Sequence, residues 1–110
     1  MTNYNHKADT EARMRLKHLK GNEKGELYIE PVFQYGVSED TTERVAATLK
    51  SITAAFNVIR SEMARVGITE NPEFSTQFLI AAKGTRSQFD QISDCPSIRG
   101  FQTSIHLKRR

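Results

Sequence analysis

The chain lacks the features that would anchor it in a membrane or brace it with disulfides. No apolar run approaches the roughly 18 residues that a membrane-spanning helix requires, and residues 1–17 do not contain the apolar core of a secretory signal. The single cysteine, Cys95, has no second thiol in the chain with which to form a disulfide. These absences favour a reducing compartment, and we predict a cytoplasmic protein with no membrane partner.

The charges are segregated along a chain of 110 residues, a length that suits one domain. Residues 1–25 hold six Lys/Arg against three Asp/Glu, residues 26–95 hold six against ten, and residues 96–110 hold four against none, giving +3, −4 and +4. Basic ends of this kind suit contact with phosphates or with an acidic protein, although they also serve solubility. We predict a basic N-terminal arm with a short helix at 1–24, and a single α+β domain with a basic C-terminal end at 25–110.

The most regular pattern in the chain is an apolar stripe within residues 41–66. Its members recur at alternating gaps of 4 and 3: Val45, Leu49, Ile52, Phe56, Ile59, Met63 and Val66. This spacing predicts one long helix, with Asp40 and Glu43 forming an N-terminal cap and Gly67 ending it. Small residues beside the stripe widen the apolar face. A wide face favours packing on a sheet, while a helix-mediated oligomer is the alternative.

Three segments with a period of two are predicted as strands: 25–36, 74–83 and 101–108. Pro31 marks the first as an edge strand or a bulge, because proline cannot donate a ladder hydrogen bond. The apolar faces of the strands are predicted to hold Leu27, Ile29, Phe33 and Tyr35; then Phe74, Thr76, Phe78, Ile80 and Ala82; then Phe101, Thr103, Ile105 and Leu107. Short helices are predicted at 10–20, capped by Asp9, and at 87–94, capped by Ser87, with a turn at 83–86.

These elements predict an α+β fold in two layers. A small, mostly antiparallel sheet of three strands is covered by one long amphipathic helix, in the order (α)-β-α-β-(α)-β. The opposite side of that helix holds a small-residue strip where a solvated face would usually carry Lys and Glu. It consists of Ala47, Ala54, Val58 and Ser61. We predict that the strip packs against the segment 10–20 or forms a homodimer interface, although high helix propensity on an exposed face also explains it.

Residues able to perform catalysis or bind metal are few and scattered. The histidines, none of which has another ligand at metal-site spacing, are His6, His18 and His106. Cys95 follows the C-terminal end of a predicted helix, which is the wrong end for thiolate activation. Asp90 and Asp94 lack a calcium-loop pattern, and residues 83–86 lack the pattern of a nucleotide-binding loop. We predict no catalytic residue, metal or cofactor; an enzyme using Cys95, His106 or Asp90 is the alternative.

Basic side chains offer a better candidate site. Those predicted to contact a macromolecule are Arg13, Arg15, Lys17, Lys20, Lys83, Arg86, Arg99, Lys108, Arg109 and Arg110. Tyr28 is the one strand aromatic predicted to face outward, and no RNA-recognition, helix-turn-helix, zinc-finger or basic-zipper pattern is present. Contacts with nucleic acid would therefore be insensitive to sequence.

Two functions follow from these observations. The first is a non-catalytic binding or regulatory protein, of accessory or inhibitor type, that associates with a larger protein or ribonucleoprotein complex. The alternative is a sequence-nonspecific nucleic-acid-binding protein whose basic N- and C-terminal ends contact the phosphates of DNA or RNA.

Overall fold

The computed structural model describes residues 7–103. The elements follow in the order α1 (Thr10–His18), β1 (Lys24–Pro31), α2 (Thr41–Val66), β2 (Thr69–Glu70), β3 (Ile80–Thr85), α3 (Arg86–Ile92) and β4 (Ile98–Gln102). The strands form one antiparallel sheet in the order β2-β3-β1-β4. The predicted α+β fold is confirmed, with four strands where three were expected. The extra strand, β2, is too short to show a period of two.

The central strand β1 divides the sheet into a covered face and an open face. Leu27 stands opposite Ala82 of β3, and Ile29 stands opposite Phe101 of β4; all four side chains are buried. They belong to one hydrophobic cluster with residues of all three helices, so the helices lie on the same side of the sheet. Tyr28, between them in sequence, points to the open side.

The long helix α2 packs on the sheet through only part of its length. The Asp40 side chain accepts the Glu43 N–H at its start, and Gly67, in the left-handed conformation at φ 90°, ends it. The buried members of the stripe are Ile52, Phe56, Ile59 and Met63. Val45, however, is 51% exposed. The stripe therefore leaves the core over the first turns of the helix.

Helix α1 packs against β1 and β4. Ala12 and Leu16 on its inner side are fully buried. Just before it, the Phe101 N–H donates to the Lys7 carbonyl at 3.0 Å and the Asp9 N–H donates to the Phe101 carbonyl at 3.1 Å. Residues 7–9 thus run beside β4. The expectation that the segment 10–20 covers the small-residue strip of α2 is wrong, because the apolar side of α1 packs against the sheet.

The end of β1 and the start of β3 differ from the predicted boundaries, because neither strand has a pairing partner beyond these points. β1 ends at Pro31, so Tyr35, expected in the core, is exposed. β3 begins only at Ile80, and the loop before it turns Phe74 and Phe78 outward instead of inward. In both segments the alternation of apolar and polar residues continues in the sequence beyond the last residue that pairs with a neighbouring strand.

The other boundaries shift by a few residues. Gly84, expected in a turn, lies inside β3, and Thr85 rather than Ser87 caps α3 through a capping box with Gln88. β4 begins at Ile98, before the predicted start at 101, and Thr103 is buried as expected. The predicted strand positions Ile105 and Leu107 lie outside the described residues.

Candidate macromolecule-binding surface

Six Lys and Arg side chains gather at one end of the sheet, which we call the basic end. Its members come from α1, the loop after it, β1, β3 and α3: Arg15, Lys17, Lys20, Lys24, Lys83 and Arg86. The antiparallel register creates this grouping, because β1 begins where β3 ends and pairs Lys24 with Thr85. Residues far apart in sequence are thus brought to the same edge of the fold.

Hydrogen bonds to the main chain tie α1 to the rest of the basic end. The Arg86 guanidinium donates to the carbonyl of Lys17 at 3.3 Å, which joins the start of α3 to the end of α1. The Arg15 guanidinium donates to the carbonyl of Glu26 at 3.1 Å, which joins α1 to β1. Both acceptors are neutral carbonyl groups, so neither hydrogen bond cancels the charge of its guanidinium.

No ion pair neutralises these six charges within residues 7–103, where the ion pairs are Arg60–Glu70 and Arg65–Glu62. Two carboxylates do lie among them. That of Glu23 accepts the main-chain N–H of Lys20 at 3.1 Å, and that of Glu26 is exposed beside Lys83 on the neighbouring strand. The basic end therefore combines a net positive charge with two fixed negative positions.

The remaining basic candidates lie elsewhere. Arg13 is near the start of α1, where its guanidinium donates to the carbonyl of Ala8 at 3.1 Å. Arg99 lies in β4, beside the Pro31 end of β1, so about 20 Å of strand separates it from Lys24. Lys108, Arg109 and Arg110 lie outside the described residues. The sequence analysis did not include Lys24 among the candidate residues. Its position just before the predicted first strand was the one feature that pointed to it.

The small-residue strip of α2 has no cover within the described part of the chain. Ala47, Ala54, Val58 and Ser61 are all exposed. Near the C-terminal half of the strip, an open groove of about 340 Å³ separates α2 from the segment after α3; it is lined by Val58, Glu62, Arg65, Gln91, Asp94, Cys95 and Pro96. An oligomer interface on this strip stays a prediction.

The surroundings of Cys95 are those of a packed core residue. Cys95 is buried, and the Lys7 ammonium donates to its carbonyl oxygen at 2.8 Å. Burial lowers the pKa of Lys7. His18 is exposed at the end of α1, whereas His6 and His106 lie outside the described residues. From residue 7 to residue 103, no group of three or more His, Cys, Asp or Glu side chains is placed to hold a metal ion.

The other end of the sheet is apolar, and we call it the apolar end. Of the eight large hydrophobic residues that are exposed within residues 7–103, it holds six: Val32, Tyr35, Val37, Val45, Phe74 and Phe78. They follow β1, precede β3 and lie in the first turns of α2. The sequence pattern placed four of these six residues on apolar faces directed at the core: Tyr35, Val45, Phe74 and Phe78. It did not predict the apolar end.

No protein-family model, curated protein or solved structure matches this chain. No helix within the described residues is long and apolar enough to cross a membrane. The described residues define a small two-layer α+β protein whose sheet has a basic end and an apolar end.

Proposed function

We propose that this protein is a non-catalytic accessory or inhibitor-type protein that binds an acidic surface of a larger protein or ribonucleoprotein complex through its basic end. One observation supports the proposal above others. Six cationic side chains from several elements converge there with only two carboxylates among them, and within residues 7–103 none of the six forms an ion pair. Like charges held together repel each other in the free protein, and an acidic partner relieves that repulsion when it docks.

The two carboxylates in the basic end favour a protein partner over a bare phosphate backbone. The Glu23 carboxylate accepts the main-chain N–H of Lys20, and Glu26 stands directly opposite Lys83 in the sheet. A row of phosphates would meet both carboxylates with like charge, which opposes binding. A protein surface can instead present a Lys or Arg to them and an acidic side chain to the neighbouring lysines.

Sequence-nonspecific binding of nucleic acid is the second candidate, supported by the same cluster of cations. Base stacking would have to use Tyr28 on the open face, yet Glu26 and Glu30 flank it on that face. Contacts would therefore be limited to phosphates. Such binding weakens steeply with salt, because each phosphate contact releases counterions.

Affinity capture from the native host, followed by mass spectrometry, tests the dependence on the basic end. The test variant is Lys17→Glu/Lys24→Glu. The matched control is Lys50→Glu/Arg99→Glu, which changes the net charge equally at exposed positions outside the basic end. We expect the test variant to lose a partner that both the control and the wild type retain. All four side chains are exposed, so thermal unfolding should show that both variants stay folded.

A salt series with mixed-sequence DNA and RNA separates the two candidates. Nucleic-acid binding predicts a linear fall of log affinity with log salt, with a slope of about −0.9 for each phosphate contacted on a duplex. Protein binding predicts no retention of either nucleic acid at low salt together with the specific capture described above. If neither depends on Lys17 and Lys24, both candidates are wrong.

A further inference from the structure

The chain between β1 and α2 forms an extended segment that runs along the helix without joining a sheet. The Gln34 N–H donates to the Ser51 hydroxyl at 2.9 Å, and the Gly36 N–H donates to the Thr48 hydroxyl at 2.8 Å. Alternate N–H groups thus point towards the same helix, as they do in extended backbone. A guanidinium–carbonyl bond from Arg44 to Ser38 at 2.9 Å fixes the far end of the segment.

The outer edge of this segment is unpaired. Because the N–H groups of Gln34 and Gly36 face α2, those of Phe33, Tyr35 and Val37 face away from it. Within residues 7–103, none of these three N–H groups has a hydrogen-bond acceptor. β3 pairs with β1 only as far as Ile29 and Ile80, so no strand continues alongside. The segment therefore presents a free β-edge.

The features that keep exposed edges from pairing lie just before this segment and not within it: Pro31, and the irregular register between Glu30 and Pro31. Residues 32–37 read VFQYGV and contain no charged residue and no proline. Tyr35 is 76% exposed and Val37 is 95% exposed, and the rings of Phe33 and Tyr35 stack edge to face with centroids 5.0 Å apart. Natural proteins usually guard such edges with lysine, proline or a bulge. An unguarded apolar edge indicates that another strand covers it.

We propose that a second copy of this chain covers the edge, and that residues 33–37 of the two copies pair antiparallel about a twofold axis at Tyr35. In this register Tyr35 faces Tyr35, and Phe33 faces Val37. Apolar side chains meet apolar side chains, and no charge opposes a charge. Each of the three free N–H groups gains a carbonyl acceptor on the other copy.

The edge fits a copy of itself because it is uncharged in both directions. A strand from a different protein would need a similarly uncharged stretch, and nothing at this edge would recognise its charge. Tyr35 and Val37, the two most exposed large hydrophobic side chains of the described residues, would lose exposed apolar area in this pairing. It leaves both basic ends free, so the dimer does not rest on the function proposed for them.

Charge swapping at Tyr35 tests the pairing. Light scattering of the full chain is measured from micromolar to near-millimolar concentration, where we expect the wild type to pass from monomer to dimer. Tyr35→Lys and Tyr35→Glu each place like charges face to face on the axis, so each should weaken self-association at least about tenfold. An equimolar mixture of the two variants should restore the dimer, since opposite charges then meet.

The comparison variant is Ala54→Glu, on the small-residue strip, which should dimerise like the wild type. A wild type that stays monomeric at every concentration would overturn the proposal. So would Tyr35 variants that dimerise normally, or a dimer that only Ala54→Glu disrupts, which would place the interface on the strip. A mixture that fails to recover the dimer would exclude Tyr35 from the axis. Because Tyr35 is exposed, unchanged circular dichroism will show that the variants fold.

Discussion

Gly36 approaches the carbonyl oxygen of Arg44 so closely that a β-carbon at position 36 would overlap that oxygen. The contact lets the Gly36 N–H reach the Thr48 hydroxyl, which itself donates to the Arg44 carbonyl at 2.9 Å. Real β-carbons are essentially never this close to a backbone oxygen, and the oxygen belongs to a helix that cannot yield. The seating of the segment on α2 therefore depends on glycine at this position.

We expect Gly36→Ala to detach the segment and to cost about 1–3 kcal/mol of stability, because the added carbon forces the backbone away. Amide hydrogen exchange should accelerate at Gln34 and Gly36, whose N–H groups lose their hydroxyl acceptors. Gln34→Ala is the control, since it keeps the N–H and removes only an exposed side chain. Unchanged exchange in Gly36→Ala would show that the close contact is not formed in solution.

Residues of the apolar stripe of α2 should contribute unequally to the free energy of unfolding, depending on their position along the helix. Ile59 is fully buried, so Ile59→Ala should reduce the free energy of unfolding by about 2–5 kcal/mol. Val45 belongs to the same stripe but lies in the exposed first turns, so Val45→Ala should change it by no more than about 0.5 kcal/mol. Denaturant titration at a concentration that keeps the protein monomeric measures both. Similar losses would mean that the first turns are also covered.

Gln88 joins the ends of two helices. Its carbonyl oxygen accepts the Thr85 N–H at 2.8 Å, and its amide donates to the Val66 carbonyl at 3.0 Å, near the end of α2. Gln88→Glu keeps the acceptor but replaces the donor with an anion facing a carbonyl oxygen. We expect a loss of about 1–3 kcal/mol in thermal or denaturant unfolding.

Gln91→Glu adds the same charge at an exposed position of the same helix and should be close to neutral. Equal effects of the two substitutions would assign the loss to net charge and not to the Val66 contact.

The ion pair between Arg60 and Glu70 should make stability depend on pH. The Arg60 guanidinium donates to the two carboxylate oxygens at 2.7 and 3.0 Å, and this hydrogen bonding is the main reason that the pKa of Glu70 lies below its ordinary value of 4.5. A carboxyl whose pKa falls on folding stabilises the folded state above its unfolded pKa. That stabilisation disappears as the pH falls through the lower, folded pKa.

Glu70→Gln should therefore be less stable than the wild type at pH ~7 and equally stable at strongly acidic pH. The difference at neutral pH should not exceed about 1 kcal/mol, because the Arg60 side chain is 45% exposed and solvent screens the pair. Denaturant unfolding at both pH values measures it. A difference that persists unchanged in acid would assign the effect to packing.

The sequence predicted the parts of the fold that depend on local patterns. The long helix follows from its 4-3 spacing, and its bounds follow from Asp40 and Gly67. The pattern at Phe74 and Phe78 predicted a strand with equal clarity and was wrong, because alternation does not reveal how far a neighbouring strand extends. Only the register, which pairs Ile29 with Ile80, shows where the sheet ends.

The basic end illustrates what local patterns cannot predict. Lys17, Lys83 and Arg86 were candidates by residue type, and so was Arg99. Nothing in the sequence distinguishes the first three from the fourth, since the grouping depends on long-range pairing of β1 with β3 and on the packing of α1. The free edge at 33–37 was missed for a related reason: its alternation was interpreted as evidence of a core strand.

The pairing of residues 7–9 and β1 with β4 has a consequence for how the protein is made. β4 is the last of the described elements to leave the ribosome, yet the first described residues and the central strand both hydrogen-bond to it. Until residues 98–102 emerge, α1 lacks part of the surface that it covers, and one side of β1 stays open. A nascent chain stalled before residue 98 would therefore expose one edge of the central strand to chaperones and proteases.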